Sequence, residues 1–326
     1  MSKRAASTPS PSKQKSFIER LMPLIVLGAA TIAGFLLYRT LSRYSLDQVL
    51  ASVQAVPMSN LARAEAFAAA SYLCLTGFDV LALHYVGRPL PYRRVALASF
   101  VSLSLGHNIG FAALSSGAIR YRFYSRWGLS PTDVAKVILF CGITVGLGLI
   151  SLAGVALLLQ PALAQEITGL SPFVVLGLVI LCILIPLTYL TLSATLQRTL
   201  RWRQWSLQIP SPRIALAQIL LGTLNFACVA GCLHQALATA TEVPYLGVAS
   251  VYVIGNVTSL LSHVPGGLGV IESVVMFLLP HADLIGALIV FRFAYFLVPL
   301  ALGALLFTAA ELRFRTTPSP TGKAER

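Results

Sequence analysis

The sequence predicts an all-α, polytopic membrane protein with about six full transmembrane helices and two re-entrant helical hairpins arranged as an inverted repeat. Three observations carry that reading: a high apolar content, uncharged windows long enough to cross a bilayer, and an alternation of basic and acidic connections between them.

The 326 residues have a mean hydropathy of +0.80, with 56% hydrophobic and only 11% charged residues. That is more apolar surface than one soluble core can hide, so lipid is its solvent. A bilayer core is roughly 30 Å thick, and a helix needs about 20 mostly apolar residues to cross it. The windows 21–37, 61–86, 134–159, 172–194, 214–240 and 284–310 are the clear candidates. Two more, 95–114 and 248–279, are apolar but interrupted by Gly, His, Asn or Pro.

Residues 1–20, rich in Ser, Pro, Lys and Arg, read as a disordered basic tail. The apolar run after it ends in Tyr38 and Arg39 rather than at a small-residue cleavage site, which predicts an uncleaved signal anchor. A single transmembrane domain over 21–310 and a short tail over 311–326 complete the organisation.

The formal net charge of +13 does not point to nucleic acid, because the basic residues sit in short connections rather than on one aromatic-studded face. Cys74, Cys141, Cys182, Cys228 and Cys232 all fall inside predicted spans, with no C-x-x-C spacing, which argues against a disulfide framework or a zinc site. Cys228 and Cys232 share a helix face, but buried packing is the preferred reading. No metal or cofactor is implied.

Orientation follows from the charges, since cytoplasmic connections carry the Lys/Arg excess. Of the 24 basic residues, 20 lie in the N-terminal tail, in 88–94, 120–136 and 198–213, and in the C-terminal tail. Connections 160–171, 241–244 and 280–283 contain no Lys or Arg and hold Glu166, Glu242 and Asp283. Both termini are therefore expected in the cytoplasm.

If 95–114 crossed the membrane once, the basic connections on its two sides would fall on opposite faces. A re-entrant hairpin from the cytoplasm, turning near Gly106 to Gly110 with arms of about ten residues or 15 Å, restores one face to both. The window 248–279, broken at Pro265, Gly266 and Gly267 between two acidic connections, reads the same way from outside. Units 61–159 and 213–310 then form an inverted repeat, with an echo in the His107 and His263 that precede the two glycine breaks. Paired interrupted segments of this kind mark a transporter's site, because unwound backbone must line a cavity. The alternative is two kinked packing helices.

Ionisable residues inside spans are costly and usually face a partner or water. Asp79, Glu272, Arg292 and, at a hairpin exit, Arg120 stand out. Arg292 can neutralise Glu272 or Asp79 as a structural lock, or these groups can meet a substrate. The N-terminus of a returning half-helix suits a phosphate, which Arg120 and Arg122 can gather at the cytoplasmic side. The alternative for Arg122 and Arg126 is orientation and attraction to anionic lipid. His107 and His263 read either as proton or headgroup contacts or as neutral hydrogen-bonding residues. No G-x-x-x-x-G-K-[ST] motif, nucleophile elbow or H-E-x-x-H pattern occurs.

Several motifs occur together and in order: Phe78-Asp79, the run Gly106 to Phe111 containing His107 and Asn108, the run Gly117 to Tyr124 containing Arg120 and Arg122, and the run Pro265 to Glu272. Over most of 60–310 they resemble the transmembrane flippase region of the lysylphosphatidylglycerol synthase/flippase family, the multiple peptide resistance factors. The resemblance implies movement of aminoacylated phosphatidylglycerol from the inner to the outer leaflet of the bacterial inner membrane, which lowers surface negativity and resists cationic peptides. It implies Asp79, Arg120 and Glu272 as functional positions. Full-length members append a cytosolic aminoacyl transferase domain, whereas this chain stops about 15 residues after its last predicted span, so it is expected to move lipid without synthesising it. A separate transferase is then an expected partner, and self-association is open. A stand-alone unit is also compatible with plain phosphatidylglycerol, a hopanoid or another lipid, and a non-transporting scaffold of a split synthase is the rival from another class.

Overall fold

The computed structural model describes residues 56–316 together with 47, 50, 51 and 54, apart from 110–111, 197–198, 203–204, 239, 263–266 and 280–283. The expected basic tail, the anchor 21–37, His263, Pro265, Gly266 and the residues after 316 lie outside that set.

Helix α1 (Met58–Tyr85) is followed by α2 (Tyr92–Ile109), α3 (Ala112–Arg126) and α4 (Pro131–Leu159). The helix α5 (Pro161–Thr168) leads to α6 (Pro172–Thr195), a two-stranded ribbon β1 (Thr199–Trp202) and β2 (Trp205–Gln208), and α7 (Pro212–Leu237). Then come α8 (Tyr245–Ser262), α9 (Val270–Leu278), α10 (Ile285–Arg292), a π-helical turn at Phe293–Leu297, and α11 (Val298–Thr316). The ribbon is antiparallel, with Thr199 opposite Gln208 and Trp202 opposite Trp205. Neither it nor α5 was expected, because both sit in connections that hydropathy reads only as polar gaps. Every other regular element of the described chain is a helix, as predicted.

Proline sets several helix starts. Pro131, Pro172 and Pro212 each occupy a first-turn position, where the missing N–H is no loss. At α4 the start is reinforced by a capping box: Asp133 N–H donates to Ser130 Oγ at 3.1 Å and Ser130 N–H to Asp133 Oδ2 at 3.3 Å.

Six helices among the described residues are long and apolar enough to cross a membrane. Five match predicted windows: Met58–Tyr85, Pro131–Leu159, Pro172–Thr195, Pro212–Leu237 and Ile285–Phe314, the last combining α10, the π turn and α11. The sixth, Tyr245–Ser262, is α8, which the sequence assigned to a hairpin arm.

Both interrupted windows break into two helices. Across the first break the chain folds back on itself: Ser115 Oγ donates to the Gly106 carbonyl at 3.2 Å, and the far ends meet where the Arg94 guanidinium lies 5.8 Å from the Trp127 ring. A Cβ on Gly106 would sit 2.7 Å from that of Ser116, so only glycine lets the arms approach this closely. The arms have 18 and 15 residues instead of the expected ten or so, because helix continues through Gly106 to Ile109. In the second window α8 has 18 residues and α9 only 9, about 14 Å of helix.

The bundle closes through small residues, as expected where lipid supplies no hydrophobic drive between helices. Gly148 of α4 and Gly222 of α7 meet backbone to backbone, and a Cβ on Gly148 would fall 2.4 Å from the Gly222 carbonyl carbon. Helix α1 lies along α7, joined by a hydrogen bond from Ser71 Oγ to Asn225 Oδ1 at 2.8 Å. The buried centre of the bundle is aromatic, with Phe291 stacked on Tyr295 at 5.9 Å and Tyr72 at 5.7 Å from Tyr295.

Candidate functional site

The fold-back of α2 on α3 fixes the rotation of α3. With Ser116 pressed against Gly106, Arg120, one turn later on the same side, is turned toward α1. Its Nε donates to Asp79 Oδ1 at 3.0 Å and its Nη2 to Asp79 Oδ2 at 3.1 Å, a two-pronged pair with side chains 4% and 0% exposed. The remaining nitrogen, Nη1, donates to Ser116 Oγ at 3.2 Å, and the Cys141 thiol of α4 lies 3.6 Å from Asp79 Oδ1. Three helices thus converge on one carboxylate.

A second pair stands in the other half. Arg292, the last residue of α10, donates through Nε to Glu272 Oε1 and through Nη2 to Glu272 Oε2 at 2.9 Å. Its Nη2 also donates to the Gly267 carbonyl at 2.7 Å, and its guanidinium lies 4.6 Å from the Phe296 ring in the π turn. Gly267 takes φ +57° and Gly269 φ +83°, a backbone that favours glycine and aims the carbonyl at Arg292. Glu272 Oε2 accepts from the Gly269 N–H at 2.9 Å, so the start of α9 already holds an anion, the carboxylate of Glu272. Of the returning half-helices whose N-termini suit a phosphate, α9 has its terminus occupied from within.

Each pair ties a helix beyond a break, α3 or α9, to one long enough to span, α1 or the stretch Ile285–Phe314 that begins with α10. The sequence anticipated an ion pair for Arg292 and left its acid open between Glu272 and Asp79; the structure closes it on Glu272. Asp79 is matched by Arg120, a partner the sequence reading did not consider. Arg120 is accordingly no exposed collector at a hairpin exit: it is 3% exposed, because Asp79 faces it across the α1–α3 contact.

Arg122 and Arg126 also have a partner that was missed. Glu311 of α11, 3% exposed, accepts from Arg122 Nε at 2.7 Å and from Arg126 Nη2 at 3.3 Å. The guanidinium of Arg126 lies 4.7 Å from the Phe314 ring. Glu311 lies just past the apolar window 284–310, and an acid at the head of the otherwise basic tail was the available signal. Asn108, in the last turn of α2, donates to the Ser104 carbonyl at 2.9 Å and makes a long contact, 3.5 Å, with the Phe296 carbonyl of the π turn. The first hairpin therefore touches the helix that carries Arg292. His107 is half-buried on α2.

A multi-span helical membrane protein with buried carboxylate–guanidinium pairs at its broken helices is the class that these features define. The chain belongs to the family described as the lysylphosphatidylglycerol synthase transmembrane region, which it matches over residues 25–303. It is 33% identical over 279 residues to the uncharacterized protein slr0712 of Synechocystis, covering 83% of this chain and 86% of that one. With the inner membrane protein YbhN of Escherichia coli it shares 28% over 250 residues, 74% and 77% of the two chains. It is 21% identical over 300 residues to a phosphatidylglycerol lysyltransferase of Staphylococcus xylosus, covering 88% of this chain but only 33% of that enzyme.

Proposed function

We propose that this protein is a lipid translocator of the bacterial inner membrane that carries phosphatidylglycerol, in its aminoacylated form such as lysylphosphatidylglycerol, from the inner to the outer leaflet. The observation that carries the reading is the pair of buried ion pairs, each holding a helix that follows a break. A headgroup bearing both a phosphate and an ammonium cannot cross hydrocarbon bare, and paired sites of opposite charge offset its desolvation. Arg120 receives the phosphate as Asp79 receives the ammonium, so the headgroup replaces each side chain's internal partner and no charge is left bare. Glu272 and Arg292 offer the same exchange in the second half. His107 lies on the helix packed against α3, Asn108 reaches the π turn that flanks the second station and Gly267 touches that station directly, while Arg122 steadies the hairpin through Glu311; Pro265 and Gly266, which precede Gly267 in the sequence, complete the proposed binding set.

In this reading the broken windows are re-entrant hairpins of two inverted units, and both termini are cytoplasmic by the positive-inside rule. Acyl chains trail in the bilayer, and added outer-leaflet cation lowers surface negativity against cationic peptides. The chain acts without catalysing a reaction, and a separate aminoacyl transferase supplies the lipid.

Leaflet exchange of fluorescent phosphatidylglycerol and lysylphosphatidylglycerol in liposomes holding the purified chain tests this. Exchange is expected with the native protein and is abolished by Asp79→Ala or Glu272→Ala, both of which still insert; full activity in both variants sinks the assignment. A scaffold for a split synthase is the second reading, favoured by the fact that both pairs are already closed. A soluble transferase that co-purifies with a chain unable to exchange either lipid would select it.

A further inference from the structure

A cavity of ≈ 210 Å³ lies away from both ion pairs, between the end of α1, the start of α4 and the end of α6. Tyr85, Lys136, Phe140, Ile143, Leu192 and Ser193 line it, and the Tyr85 hydroxyl donates to the Gln208 carbonyl beside it. Its wall is almost wholly apolar. Lys136 is half-buried in that wall and, among the described residues, meets no carboxylate, while Asp133 one turn earlier leans toward Arg88. Ser193 Oγ is buried and has no hydrogen-bond partner among the described residues.

The surroundings say what the occupant is. Helix α6 is hardly covered by protein, and Leu139 and Leu192 of the cavity wall are 45% and 43% exposed, so the cavity opens onto acyl chains. Lys136 stands in the second turn of α4, at the end bearing the basic connections, and Ile143 lies about 10 Å deeper along the helix. A cation at headgroup level above an apolar slot fits an amphiphile with an anionic head.

We infer that this cavity is a second lipid site, which seats an acyl chain of an anionic phospholipid from the cytoplasmic leaflet with its phosphate on Lys136. The site is separate from the transport reading, since it uses neither Asp79–Arg120 nor Glu272–Arg292, and its test reads occupancy instead of exchange.

The experiment is photocrosslinking of the full chain in vesicles of phosphatidylethanolamine containing phosphatidylglycerol with a diazirine-bearing acyl chain, the adducts being mapped by peptide mass spectrometry. Adducts are expected on 136–143 and 189–193, at least fivefold above those on the lipid-facing stretch 176–184. Excess unlabelled phosphatidylglycerol should compete and phosphatidylcholine should not. Ile143→Trp, which fills the slot, should remove the enrichment. Lys136→Gln, a milder change that keeps the helix, should retain adducts but lose the preference for the anionic lipid. Adducts spread evenly along α6, enrichment that persists in Ile143→Trp, or equal competition by the two lipids in the native chain overturns the inference.

Discussion

Removing the carboxylate of Asp79 should destabilise the chain far more than an average substitution. Asp79→Ala leaves the Arg120 guanidinium buried, with only Ser116 Oγ, among the described residues, still accepting from it. Breaking a buried pair by removing one partner costs about 3–5 kcal/mol. At roughly 2–4 °C per kcal/mol for a chain of this size, the melting temperature should fall by about 6–20 °C. Replacing both partners together by apolar residues of similar volume, Asp79→Leu with Arg120→Met, removes the unpaired charge and should recover most of that loss. Thermal unfolding of the native protein, Asp79→Leu, Arg120→Met and the double variant in detergent micelles closes the double-mutant cycle. If Asp79→Ala melts with the native protein, or if the double variant's loss relative to the native protein equals the sum of the two single losses, the two groups are not acting as a buried pair and the reasoning fails.

Other consequences are as specific. Arg292→Lys should destabilise despite keeping the charge, because a lysine cannot hold both Glu272 oxygens and the Gly267 carbonyl in one planar fork; a melt equal to the native one would contradict this. Glu311→Ala should cost about 1.5–3 kcal/mol, less than Asp79→Ala, since Arg122 and Arg126 are 13% and 27% exposed and can reach water; the same unfolding assay ranks them. Gly148→Val should cost at least 1–3 kcal/mol, roughly, by forcing α4 from α7, and a melt unchanged from the native one would refute the backbone contact. Ser130→Ala removes one half of the α4 capping box and should cost about 1 kcal/mol by the same measurement.

Much of this architecture can be read from hydropathy because a bilayer imposes one length on every span. Windows 61–86, 134–159, 172–194, 214–240 and 284–310 each correspond to helix of the expected extent. The breaks between α2 and α3 and between α8 and α9 were legible too, since few residues but glycine and proline interrupt such runs. Connections were not: α5 and the ribbon 199–208 depend on short local patterns that a 20-residue window averages away. The site was half legible. That Asp79, Arg120, Glu272 and Arg292 matter follows from the cost of charge in lipid, which is a property of single residues. Which acid meets which base is a property of the packed bundle: Arg120 is 41 positions from Asp79, and only the close approach of Gly106 and Ser116 turns it toward α1. Glu311 was missed for the same reason, its partners being 189 and 185 positions away.

The central claim is that the buried charges serve lipid movement as well as stability, and the Asp79→Leu, Arg120→Met protein separates the two. The decisive measurement is leaflet exchange of fluorescent lysylphosphatidylglycerol in liposomes holding that variant at a melting temperature close to the native one. The account predicts no exchange above protein-free liposomes, because a sound bundle without the pair has nothing to replace the headgroup's water. Exchange at the native rate would contradict it and leave the pair as a structural lock.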